Sequence, residues 1–312
     1  MNIIGRRYFF FALSLVIIIP GMLILAINGI PLALDFTGGS LLEIKLASGE
    51  LPQPSQVISI YALEGIKDAQ VQTTSSNSLI IRSSFIEDAS REAILKAMED
   101  EFGSAVEVIR LDSVGPTIGA QVASRAALAV AVAALAVVAF ITWAFRGVEH
   151  AFRYGASAIT AMVHDVLVVF SVVAIGSVFF GWELDALFLT ALLTVIGFSV
   201  QDKIVVFDRI RENSRLLRKL EFEKLVNHSV VQTLQRSINT QLMTVEFLLL
   251  ALAMFGGITL REFSVILLVG LLSGTYSSIF IAAPILVVWE NKEWRNWFGR
   301  GKSKSKEASA SL

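Results

Sequence analysis

The chain of 312 residues contains no cysteine, which excludes disulfide frameworks, thiolate nucleophiles and zinc–thiolate centres. Its three histidines, His150, His164 and His228, are scattered rather than spaced as metal ligands. Charge is also scarce: 17% of residues are charged, against about 25% in soluble domains. The sequence has no Walker motif, no HExxH pair and no nucleophile–base–acid order. No enzymatic activity, metal or organic cofactor is expected, and an ATP-driven step would need its nucleotide site on another subunit. No feature points to nucleic acid.

What the chain has in abundance is apolar sequence, at 54% of residues. Taking about 20 apolar residues per crossing, six spans are predicted, at 8–27, 123–145, 154–180, 184–207, 240–255 and 263–289. The fifth is short and needs the preceding QRSIN turn to complete it. The first follows Arg6 and Arg7 but outlasts a signal-peptide core of roughly 7–15 residues and lacks an A-x-A site, so it reads as a retained span. Basic residues gather on alternate connections: Arg146 and Arg153, then Arg209, Arg211, Arg215, Arg218, Lys219 and Lys224, then the tail from Lys292. The bias of Lys and Arg toward the cytoplasm puts both termini on that side.

The polar segment between the first two spans then faces outward, and it is acidic. Its pattern predicts a strand at 40–46, a helix at 54–63, strands at 69–74 and 78–82, a helix at 87–102 and a strand at 106–111. That βαββαβ order is ferredoxin-like. The fold class expected is a multi-pass α-helical membrane protein, with six transmembrane helices and an α+β ferredoxin-like extracytoplasmic domain between the first two. The organisation is 1–30 for the N-terminus and first span, 31–121 for the outer domain, 122–290 for five further membrane helices, and 291–312 for a basic disordered tail. Such a tail is drawn to anionic membrane lipids.

Polar residues inside the spans are the candidate site. In LDALFLTALLTVIGFSVQDKIVVFDRIREN, Ser199, Gln201, Asp202 and Lys203 interrupt an apolar run. A charge at mid-span costs roughly 2.5–3.5 kcal/mol even on a lenient scale, so Asp202 needs a partner. Arg236, entering the fifth span at comparable depth, is the expected one. It opens a stripe with Thr240 and Thr244 at four-residue spacing, and Asn239 lies beside it. A carboxylate between burial and an arginine is poised to take and release protons; a static salt bridge is the plain alternative. His164 and Asp165, near the middle of the third span, form either a buried pair locking helices or a second protonatable site. LDFTGGS and VGPTIG bracket the outer domain, and Gly38, Gly39, Gly115 and Pro116 read as turn or hinge residues. The stretch 216–234 reads as an interfacial amphipathic helix.

Taken together, DFTGG after the first span, VGP-x-x-G before the second, HD in the third, IGFSVQDKIVVFDRIREN in the fourth and QTLQRSINT entering the fifth resemble the SecF family. That family belongs to the resistance–nodulation–division superfamily, and the likeness covers nearly the whole chain except the tail. It implies a protein-export subunit of the bacterial cytoplasmic membrane, pairing with SecD beside the SecYEG channel, with a YajC-like accessory subunit and an unfolded preprotein as further partners. It also implies use of the proton gradient to draw chains outward after SecA has pushed them in, with protons as the coupling ion. The family's intramembrane Asp and Arg fall on Asp202 and Arg236; the family Asp usually follows Asn, and here Gln201 stands there. Two other readings are a proton-coupled exporter of small molecules or lipids from the same superfamily, and a scaffold subunit whose buried charges only fix helix pairing. In the scaffold reading, exchanging Asp202 and Arg236 restores function.

Overall fold

The structure, a computed structural model, describes residues 2–49, 51–74, 77–146, 150–241 and 247–293. The chain divides into two units, one of residues 31–130 with 183–186, the other of the remainder.

In the first unit, strands β1 (Gly39–Leu46), β2 (Gln70–Thr73), β3 (Leu79–Ser83) and β4 (Val106–Val114) form one antiparallel sheet in the order β2-β3-β1-β4. Helices α3 (Pro54–Leu63) and α4 (Asp88–Phe102) connect them. A four-residue helix, α2 (Leu34–Thr37), precedes β1. The period-two pattern of β1 turns Leu42 and Ile44 into a core with Val57, Ile60, Tyr61, Leu79, Ile81, Ile94 and Met98. Pro54 opens α3 at its first residue, where a missing N–H costs nothing, and the Gln56 side chain accepts from the Gln53 N–H. Gly103, in the left-handed region at φ +59°, ends α4. β4 runs three residues beyond the expected 111 because Gly39↔Val114 extends its pairing with β1.

The two glycine motifs meet backbone to backbone. Gly38 and Gly39 have φ of +70° and +125°. A Cβ on Gly39 would sit 2.7 Å from the Ser83 carbonyl oxygen, and one on Gly119 would sit 2.7 Å from Gly38 N. Pro116 is the first residue of helix α5 (Pro116–Ala144), so this span begins seven residues before the predicted 123. The reason is again that proline suits the first helical turn. Asp35 accepts from the Ala186 N–H at 3.0 Å, within the same unit.

The second unit packs α1 (Arg7–Asn28), α6 (Ala151–Phe180), α7 (Ala186–Leu216), α8 (Phe222–Gln241), α9 (Phe247–Phe255), α10 (Ile258–Ser277) and α11 (Ala283–Glu290). Small residues let the helices approach closely, as in membrane bundles. A Cβ on Gly21 of α1 would lie 2.3 Å from Ser171 Cβ of α6, and one on Gly270 of α10 would lie 2.2 Å from Val195 Cγ2 of α7. Among the described residues five helical stretches are long and apolar enough to cross a membrane: Ile4–Asn28, Pro116–Ala144, Ala151–Phe180, Ala186–Leu216 and Leu260–Glu290. The fifth predicted span includes positions 242–246 and Thr244, which lie outside the described residues.

Two boundaries differ from expectation around 216–234. Helix α7 continues to Leu216, and α8 then spans Phe222–Gln241. Buried Asn213 explains the extension, since its Nδ2 donates to Ser229 Oγ at 2.8 Å and Gln232 Oε1 at 2.9 Å, binding α7 to α8. Between α10 and α11 lies a π turn, Ser278–Ala282. Pro284 accounts for it: proline offers no N–H to the carbonyl of residue 280, and its ring would clash there.

At the polar end of this unit, Arg7 reaches Glu293 with Nη2 at 2.6 Å and Nε at 3.2 Å, and Tyr8 Oη adds a bond of 2.8 Å. Asn227 Oδ1 accepts from the Ile3 and Ile4 N–H groups. These contacts tie the N-terminal turn to α8 and to the end of α11.

Candidate functional site

Two carboxylates on neighbouring helices are buried in the membrane unit, and they are held differently. Asp165 of α6 is fully buried. Its Oδ2 accepts from Ser199 Oγ at 2.6 Å, Lys203 Nζ at 2.7 Å and Ser277 Oγ at 2.6 Å. Its Oδ1 accepts from Ser273 Oγ at 2.7 Å and lies 3.1 Å from His164 Nδ1. Lys203, equally sealed from solvent, also donates to the Ser199 hydroxyl and carbonyl. An ammonium plus several hydroxyls satisfies the lone pairs of the ionised carboxylate, which is the condition for keeping an ion pair in a dry interior.

The spacing explains the cage. Ser199 and Lys203 stand four apart on α7, as do Ser273 and Ser277 on α10, so each pair presents one face to Asp165. Gly274, whose Cβ position would come within 3.3 Å of Ser199, lets α10 close upon α7. His164 stacks on Tyr276 at 6.1 Å between ring centres, and Tyr276 Oη donates to the Phe10 carbonyl at 2.8 Å.

Asp202, one residue before Lys203 and 8% exposed, points to other helices. Its Oδ1 accepts from Ser237 Oγ of α8 at 2.7 Å, and its Oδ2 accepts from Ser278 Oγ of the π turn. Among the described residues no ammonium or guanidinium is paired with it. The expected Asp202–Arg236 contact is therefore not made: Arg236 is exposed on α8, and its neighbour Ser237 takes the place. Successive residues on a helix diverge by about 100°, so turning Ser237 inward turns Arg236 away. Asn239 and Thr240 are exposed as well, Gln201 is exposed on α7, and Thr244 lies outside the described residues.

Reading the sequence thus missed Lys203 as a partner and missed Ser237, Ser273, Ser277 and Ser278 altogether. The signals were present but quiet. Lys203 inside a span carries the same cost as Asp202, and the LLSGTYSS stretch places three serines where lipid-facing sequence would be apolar. Of the turn residues, Gly38 and Gly39 adopt positive φ, while Gly115 has an ordinary φ with open space around it.

An α-helical unit with an ion pair and a second carboxylate buried in its spans, joined to a four-stranded α/β unit, defines a helical membrane protein built around intramembrane charge. The chain belongs to the SecF family of protein translocase subunits. The profile described as "Protein export membrane protein SecD/SecF, C-terminal" matches residues 94–292, and "SecD/SecF GG Motif" matches residues 23–49. The protein translocase subunit SecF of Anaerolinea thermophila is 67% identical over 99% of this chain and 100% of its own length. SecF of Thermobaculum terrenum is 46% identical over 96% of this chain and 97% of its own. SecDF of Bacillus subtilis is 32% identical over 93% of this chain, which covers 38% of that longer protein. The crystal structure of SecDF from Thermus, described as a translocon-associated membrane protein, matches with a TM-score of 0.76 at 29% identity over 93% of this chain. This chain spans about two fifths of the length of that solved protein, at 39%.

Proposed function

We propose that this SecF-type subunit couples the proton motive force to the export of unfolded preproteins, with Asp202 as the group that takes up and releases the proton. The observation that carries this reading is the pair of hydroxyls on Asp202. Each can donate to the ionised carboxylate and accept from the protonated one, so both states keep a partner. Asp165, caged with Lys203, is the second candidate, with His164 beside it. A membrane potential supplies roughly 2.3 kcal/mol per charge per 100 mV, enough for one or two protons to drive a few-kcal/mol change of posture.

In this reading the subunit is non-enzymatic, pairs with a SecD-type subunit, and works beside the SecYEG channel with a YajC-like accessory subunit. The fused SecDF relatives support the first partnership. Arg236 acts from the exposed face of α8 together with Asn239 and Thr240, where the partner subunit covers it; an arginine left facing lipid is costly. Both termini lie in the cytoplasm, following the basic loops, and the chain crosses the membrane six times. The sheet order β2-β3-β1-β4 with two crossover helices supports a ferredoxin-like outer domain. Gly38, Gly39, Gly115 and Pro116 mark where posture is transmitted to it.

The test is export into inverted vesicles by Asp202→Asn, with and without an imposed gradient, after assembly with the partner has been verified. Loss of the gradient-dependent step alone supports the reading. Normal gradient-dependent export sinks it and moves attention to Asp165 or the partner.

A further inference from the structure

The hydroxyl of Ser278 has one hydrogen to give and two acceptors within reach. It donates to Asp202 Oδ2, and its Oγ also lies 2.8 Å from the Thr275 carbonyl oxygen. Ser237, the other donor to Asp202, holds Oδ1 at 2.7 Å. Both serines are buried, Ser278 completely. Ser278 opens the π turn, and the preceding Ser277 donates to Asp165 Oδ2 while also lying 3.1 Å from the Gly274 carbonyl. Adjacent residues of a helix point about 100° apart, so this turn touches one carboxylate with each of two consecutive hydroxyls. Such π turns are rare and gather at functional positions.

We propose that Ser278 is a positioning residue that exchanges its hydrogen bond between Asp202 and Thr275 as Asp202 changes protonation state. The inference rests on the proton-coupling reading of Asp202. With Asp202 ionised, the Ser278 hydroxyl donates to Oδ2. When a proton adds to Oδ2, the new O–H donates to Ser278 Oγ, and the serine hydrogen swings to the Thr275 carbonyl. The Ser278–Asp202 hydrogen bond reverses its direction, Ser278 keeps its own proton, and the proton count changes at Asp202 alone. Ser237 keeps donating to Oδ1, which remains an acceptor in both states. The carboxylate therefore changes charge without leaving a buried group unsatisfied, which would cost about 1–3 kcal/mol.

None of the following charged and titratable groups, on the helices that pack in this unit, is paired with Asp202. Lys203 on the same helix is bound to Asp165 of α6, with His164 beside that pair. Arg236 on α8 is exposed, Tyr276 on α10 donates to Phe10, and Glu290 on α11 is paired with Arg153. Only the two serines hydrogen-bond to the Asp202 carboxylate among the described residues.

The experiment uses the full chain assembled with its partner subunit in vesicles, comparing the parent, Ser278→Ala, Ser278→Thr and Asp202→Asn. The protonated Asp202 carbonyl stretch is followed against pH by infrared difference spectroscopy and identified by its loss in Asp202→Asn. Gradient-driven export is measured on the same vesicles. Ser278→Ala is expected to displace the titration midpoint by about one pH unit or more, since one of two donors is gone, and to lower gradient-driven export about tenfold. Ser278→Thr, which keeps the hydroxyl, is expected to retain the parental midpoint. A band that titrates at the parental midpoint in Ser278→Ala overturns the role of Ser278 alone, whatever happens to export, because a packing defect would not move it. Absence of any such band in the parent overturns the proton reading of Asp202 and this inference with it.

Discussion

Lys203 Nζ lies 2.7 Å from Asp165 Oδ2, with both side chains sealed from solvent inside the helical unit. The pair joins α7 to α6, and the serines of α10 close the cage around it. A charge pair this deep holds only while both members are present, because either alone is an unpaired ion in a dry environment.

Truncating Lys203 is therefore predicted to be severe. Lys203→Met should destabilise the folded protein by about 3–5 kcal/mol, the usual penalty for orphaning a buried charge. Adding Asp165→Leu to it should recover most of that loss, since the serine hydroxyls can fall back on carbonyls of their own helices. Thermal denaturation of the detergent-purified variants reads this out. A double variant no better than Lys203→Met refutes the pair as the source of the effect.

The contact between α1 and α6 gives a second prediction. Gly21→Ala would push a methyl to 2.3 Å from Ser171 Cβ, so the helices must part at a cost of about 1–3 kcal/mol. Ser171→Gly in the same chain should relieve little of it, because the Ser171 Cα and carbonyl oxygen remain 2.4 and 2.7 Å from the added methyl. Melting temperatures of the single and double variants decide the matter, with unchanged stability in Gly21→Ala as the contrary result.

Two glycines of the bracketing motifs should behave oppositely. Gly39→Ala meets both a positive φ and the Ser83 carbonyl 2.7 Å away, whereas Gly115→Ala meets open space at an ordinary φ. The first is expected to lower stability by at least about 1 kcal/mol, while the second changes it little or raises it slightly. Limited proteolysis of the 31–130 unit compares them directly, and equal protection of the two variants would count against the assignment.

Burial raises the Tyr61 phenol above its ordinary value of 10.0, because the phenolate would have to form inside the core of the α/β unit. Below pH 10 the neutral form is present in folded and unfolded chains alike, and the stabilisation is complete. As pH rises past 10 the unfolded chain loses the proton first, so stability falls by at most about 1.4 kcal/mol per pH unit. Tyr61→Phe should flatten that alkaline decline in denaturant titrations followed by circular dichroism. An equally steep decline in the variant would assign it to other groups.

The local and additive features of this protein were legible in its sequence. Apolar run length announced the five long apolar helices; period-two alternation and the glycine and proline stops laid out β1, α3 and α4 nearly residue by residue. The abnormal cost of charge in a membrane marked out Asp165 and Asp202, though not the partner of either. What the tertiary structure alone decided is who meets whom. Arg236 and Ser237 are neighbours in sequence, yet a rotation of α8 by one residue determines which of them faces Asp202. The serines of α10 and the π turn become ligands of two carboxylates only because Gly270 and Gly274 admit α7 and Pro284 widens the helix. Pairing of that kind depends on helix rotation and close approach, set by packing across elements far apart in the chain, and no local pattern encodes it.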